Sequence, residues 1–174
     1  MGFCVKRRLL VSMTLVTVNA HSAVCLVPVE KIKIADIFIG ESVNDLARRH
    51  KAVEVDNSII NKLSDKTRSV FVDSKFEKEW FYGEPISGIN FINYNRDSYK
   101  INAFGVALDF DNFNFEKVKR VIIDLYDLPK INWTYHKEQD HKYGEAEEYN
   151  YKCDGYTIRL AQSGLGTSIQ MSAK

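Results

Sequence analysis

The chain is short of the residues that break a protein into pieces. Three prolines and nine glycines are spread over 174 residues, and no stretch is low in complexity. That leaves no linker and no sharp compositional boundary, so one domain is expected. Histidine is scarce as well, with four in the chain. There is no Gly-x-Ser-x-Gly elbow and no glycine-rich phosphate loop, because Gly164 and Gly166 sit in a hairpin turn. Charge of one sign is missing too. The net value of +1 excludes the basic excess that a nucleic-acid binder needs. One apolar run stands out, Leu9 to Val18, and it is short of the roughly 20 residues that an anchoring helix requires.

That run is informative for what surrounds it. Lys6, Arg7 and Arg8 precede it, and the small residues Ala20, Ser22 and Ala23 follow it. Charge, short apolar core and small-residue site in that order read as a secretory signal peptide. Cleavage after Ala20 and after Ala23 both remain open, and the boundary adopted is 1–23 for the signal and 24–174 for the domain. Val24 rather than a small residue precedes Cys25, which argues against a lipid-modified cysteine. No stable membrane anchor is expected after cleavage. Without Lys6, Arg7 and Arg8 the remaining 21 basic and 23 acidic residues give a net charge of −2. Cys4 leaves with the signal. Cys25 and Cys153 remain as a pair in an oxidising compartment, and the natural reading is a disulfide joining an N-terminal strand to a C-terminal hairpin. A periplasmic or secreted location follows.

The order of elements comes from hydrophobic period. Lys31 and Lys33 alternate with Ile32 and Ile34, which predicts a strand within 30–39. Ser42 and Asp45 fit a capping box opening a helix at 42–51. One more helical turn around Ile59, Ile60 and Leu63 follows the Asp56-Asn57-Ser58 turn. Strands are expected around Val70 and Val72, at Trp80 to Tyr82, over 86–94 and over 99–110, where β-branched and aromatic residues gather. Asn95 to Ser98 reads as the loop between the last two. Val118, Val121, Ile122 and Leu125 recur at helical spacing and predict an amphipathic helix over 115–127, capped by Asn112 or Asn114 and followed by Pro129. Strands return at 131–135, 149–153, 156–162 and 167–172, and Asp154-Gly155 is a strong hairpin signal. The fold class is therefore α+β, an antiparallel sheet with two main helices in a single domain. Each half reads as a helix followed by strands, which leaves a tandem helix-plus-strands repeat open.

Gly40-Glu41-Ser42-Val43-Asn44-Asp45-Leu46 resembles the helix start of BamE-like and β-lactamase-inhibitor-like envelope domains. The resemblance implies helices followed by an antiparallel sheet, and a protein that binds other proteins.

Candidate chemistry is thin. His136, Glu138, Asp140 and His141 contain metal-ligand types, yet a spacing of five between the histidines fits neither one helical face nor alternate strand positions, so a polar loop is expected and no metal. Asp109, Asp111, Asn112 and Asn114 begin like a calcium loop, but Asn114 and Arg120 stand where glycine and glutamate belong, so helix capping is the reading. No catalytic residue and no cofactor are assigned. What remains is an acidic segment, 136–148, bordered by aromatics. Read as a long solvated loop, it offers Glu138, Asp140, Glu145, Glu147 and Glu148 for steering. Trp133, Tyr135, Tyr149 and Tyr151 at its base supply an apolar anchor for a protein partner. The expected function is an exported protein-binding module, most concretely an inhibitor or immunity protein that neutralises an envelope enzyme or toxin. A BamE-like assembly component is the alternative, and a small hydrolase or ligand binder comes third.

Overall fold

The computed structural model describes residues 24–50, 52–54, 66–72, 80–81, 84–108, 115–140, 144–164 and 166–174. The signal segment lies outside this set. So do the turns expected at 56–58 and 59–63, Tyr82, the capping asparagines with their calcium-like neighbours at 109–114, and His141.

Among the described residues the chain gives two helices, α1 (Val43–His50) and α2 (Phe115–Leu125). Its strands are β1 (Ala52–Glu54), β2 (Thr67–Val72), β3 (Trp80–Phe81), β4 (Glu84–Asn95), β5 (Lys100–Leu108), β6 (Trp133–Asp140), β7 (Gly144–Lys152), β8 (Tyr156–Ser163) and β9 (Gly166–Ala173). All pairings are antiparallel, in the order β1-β2-β4-β5-β9-β8-β7-β6, with β3 paired to β4 off that path. This is the α+β class that the sequence implies. Apart from β3, the order of the described elements is symmetric about the β5–β9 pairing. Each half is a helix followed by a meander of strands, and the two meanders meet through their last strands, β5 and β9.

The strand expected within 30–39 is absent. Val29–Lys31 is a turn of 3₁₀ helix, and the chain then reverses over Ile34–Ile37, whose backbones exchange two hydrogen bonds of 3.0 Å. Ala35 and Asp36 both have positive φ, 53° and 55°, the geometry of a two-residue turn. Alternation up to Ile34 was therefore genuine, but the reversal puts Ile32, Ile34, Ile37 and Ile39 all into the core.

One continuous core lies on one face of the sheet. Ile92, Phe104, Met171, Ile158 and Tyr151 are consecutive cross-strand neighbours there, and they pack with Val43 and Leu46 of α1 and Val118 and Ile122 of α2. Where α1 begins, Gly40 N–H bonds Ile101 O at 2.8 Å, Ile101 N–H bonds Glu41 O at 2.9 Å and Val43 N–H bonds Tyr99 O at 2.9 Å. Gly40 adopts φ of +88°, which a side chain would strain. The Glu41 carboxylate is buried beneath this turn and meets Arg49 Nη1 at 2.5 Å. The segment Gly40–Leu46 thus fastens α1 to the β4–β5 turn.

Cys25 and Cys153 form a disulfide, with Cα atoms 5.0 Å apart and 128 residues between them in sequence. Gly155 N–H points at Cys25 Sγ (3.1 Å), and Tyr156 O–H donates to Val27 O (3.0 Å), so the N-terminal segment is laid along the β7–β8 turn. That segment is irregular rather than the strand expected. The bond fits an oxidising compartment. No helix among the described residues is long and apolar enough to cross a membrane.

Candidate functional site

Among its described residues the acidic segment 136–148 is paired strand rather than loop. Trp133–Asp140 and Gly144–Lys152 pair residue for residue, from Trp133 with Tyr151 to Asp140 with Gly144. The physical reason it resembled a loop is that both faces of this hairpin are wet beyond Tyr149. Polar residues then occupy both faces, and the alternation that marks a strand disappears.

Pairing divides the expected site residues between two faces. Trp133, Tyr135, Lys137, Glu145, Glu147, Tyr149 and Tyr151 point to the helix side, and Glu138 and Glu148 to the other. Tyr151 is fully buried, its ring 5.4 Å from that of Trp133 and 6.0 Å from that of Tyr156. It is part of the core. Trp133 is half-buried and donates from Nε1 to Pro129 O at 3.0 Å. Tyr149 lies under α2. Its ring stacks on Phe115 at 5.2 Å, Lys119 Nζ sits 3.9 Å over it, and its hydroxyl donates to Glu116. Burial, then that bond to a carboxylate, pushes its pKa up to about 12. Tyr135 packs on Tyr149 at 4.9 Å yet stays 49% exposed. Glu145 and Glu147 share Lys137, the latter at 3.0 Å. Asp140 takes its place at the end of β6, opposite Gly144.

The face away from the helices holds the residues that sequence reasoning missed. Among the described residues no helix or strand packs on it. Its floor is made of small side chains at alternate positions: Ala103 and Ala107 of β5, Ser168 and Ser172 of β9, and Ala161 of β8. Gly105 belongs to the same row and is covered by Phe91, whose Cε1 lies 2.6 Å from where a Cβ would stand. Longer polar side chains rise beside the floor. Arg159 Nε meets Glu148 Oε2 at 2.6 Å, and Arg159 Nη1 meets Gln170 Oε1 at 3.3 Å. Asn150 donates to the other Glu148 oxygen at 2.8 Å. Partial burial pulls the Glu148 pKa up, but hydrogen bonds from Arg159 and Asn150 outweigh it and hold the carboxylate below its usual value. His136 Nε2 lies 3.5 Å from Glu138 Oε2. Between these groups runs a groove of about 410 Å³, bordered by Asn90, His136, Glu138, Glu148, Arg159 and Gln170.

The signal for this face is present in the chain. Thr157, Arg159 and Ala161, and Ser168, Gln170 and Ser172, are the positions left over once the apolar alternates of β8 and β9 are assigned to the core. Chemically the groove offers donors, acceptors and fixed charges on a firm sheet.

No family model matches the chain, and neither a curated protein nor a solved structure is found similar to it.

Proposed function

We propose that the protein is an exported protein-binding module that docks a partner on the open face of its sheet. Its most concrete form is an inhibitor or immunity protein that neutralises an enzyme or toxin of the bacterial envelope. The observation that carries this reading is the polar face, uncovered by any described helix or strand, with its groove. An antiparallel sheet tolerates one solvated face. Here that face has a floor of small residues and a rim of ordered charge-assisted hydrogen bonds, Arg159–Glu148 and Arg159–Gln170. Such a surface accepts a protruding loop and offers it paired polar groups at low ordering cost. The disulfide and the signal-like leader support an exported setting.

The test is capture from periplasmic extract on immobilised protein, with the product of the adjacent gene as first candidate. Ala161→Trp fills the groove floor from an exposed face. The expected result is a stoichiometric partner held by wild type, lost with Ala161→Trp while the melting temperature is kept, and inhibited in its own activity at equimolar ratio. Failure to find a stoichiometric partner over a range of salt, or full retention by Ala161→Trp, overturns the reading.

The alternative, a BamE-like assembly component, draws support from Gly40–Leu46, which does open α1. Fractionation separates the two, since an assembly component stays with outer-membrane complexes.

A further inference from the structure

We propose that β6 is an association edge, along which two copies of this chain pair strand against strand about a two-fold axis. Strand β6 is the outermost of the sheet, and its inner side is bonded to β7 from Trp133 to Asp140 with no bulge. Among the described residues no strand pairs with its outer side. Half of its backbone donors and acceptors therefore point outward, a template for another strand.

Monomeric proteins blunt such edges by shortness, proline, bulges or lysine. The opposite edge, β1, is three residues long among the described residues. Strand β6 has eight residues, Trp-Thr-Tyr-His-Lys-Glu-Gln-Asp, without proline or glycine. Its one lysine, Lys137, is already held by Glu145 and Glu147 of β7. The lysine charge that would repel an incoming strand is neutralised within its own chain.

The occupant is argued from register. A two-fold axis normal to the sheet keeps the helices of both copies on one side, so residues that face each other across the axis share a face. Centring the pairing on Lys137 sets His136 opposite Glu138 of the second copy, twice over, on the open face. It sets Tyr135 opposite Gln139 on the helix side. The two central lysines lie among four glutamates. Moving the centre to Glu138 sets that carboxylate against itself, and moving it to His136 sets two imidazoles together and leaves Glu138 facing Thr134. The Glu138-centred register also sets His136 opposite Asp140, but its central carboxylates face each other, whereas the central lysines of the Lys137-centred register are each held by glutamates of their own chain. His136 and Glu138 already lie 3.5 Å apart within one chain, so both present their polar ends on that face. A seam of two strands buries less than a standard interface, so a weak dimer is expected.

The experiment is sedimentation equilibrium of the purified protein from about 1 μM to about 1 mM. The expected result is a mass that rises from one copy to two across that range. Glu138→Lys and His136→Glu should each weaken association at least about tenfold. The double variant His136→Glu/Glu138→Lys sets a glutamate opposite a lysine, twice over, and should recover most of the loss. Hydrogen exchange on the wild-type chain gives a reading that needs no variant, since the amides of β6 should gain protection as concentration rises. A single-copy mass at every concentration overturns the proposal. So does a dimer indifferent to both single substitutions, or one whose β6 amides gain no protection, because association would then use another surface.

Discussion

Single residues carry strain and contact that composition hides. Helix α2 ends with Leu128 N–H bonded to Ile123 O at 2.9 Å, and Asp127 takes φ of 52°. This is a Schellman-type stop with aspartate at the position that favours glycine. The exposed carboxylate also faces the negative end of the helix dipole. Asp127→Gly should therefore stabilise the protein by about 1 kcal/mol, whereas Asp127→Ala should not, as read by urea denaturation. Gly105 is the opposite case. With Phe91 seated over it, Gly105→Ala has no room and should cost roughly 1–3 kcal/mol, unless Phe91→Ala is made with it to reopen the space. Neither role is visible in sequence. A helix stop with Pro129 beyond it is legible, but the sign of φ at Asp127 is not. Which glycine lies under an aromatic ring depends on register between strands.

Elements were legible in proportion to how unequal their two faces are. Helix α2 and strands β5, β8 and β9 have one face in the core and one in water, and their apolar periods give them away. The β6–β7 hairpin is wet on both sides past Tyr149, and the N-terminal isoleucines are buried on both sides of a turn, so period failed at both places. The groove was hidden for a different reason, since apart from Glu138 and Glu148 it is built from the polar alternates of strands recognised by their apolar ones. Helix α1 is short, and a helix of eight residues needs tertiary help. It gets that help from the buried Glu41 and its bond to Arg49. Arg49→Ala strands a buried carboxylate and should cost about 3 kcal/mol, and the double variant Arg49→Ala/Glu41→Gln should recover much of it. Guanidinium denaturation of the two variants and wild type checks the pattern. A loss equal in both would mean that Arg49 acts by packing alone.

The whole molecule is closed by one covalent bond and depends on neutral tyrosines. The disulfide spans 128 residues, so Cys153→Ala should lower stability by roughly 2–5 kcal/mol, measured by thermal unfolding against wild type. Burial raises the pKa values of Tyr126, Tyr151 and Tyr156, and burial with the Glu116 bond raises Tyr149 to about 12. The unfolded chain releases these protons first, near the ordinary tyrosine value of about 10. Stability should be intact below that pH and fall steadily as pH rises through 12, and denaturation curves at successive alkaline pH values, beside the phenolate absorbance, will show it. The meeting of β5 with β9 has a consequence for how the protein is made. The strand that comes latest in sequence sits in the middle of the sheet, between β5 and β8. As the chain emerges in order, the first meander waits with β5 as an open border, and the second assembles from its rim inward. Both borders stay sticky until Ala173 has been delivered. A chain cut short before β9 would thus leave two half-sheets with a missing keystone.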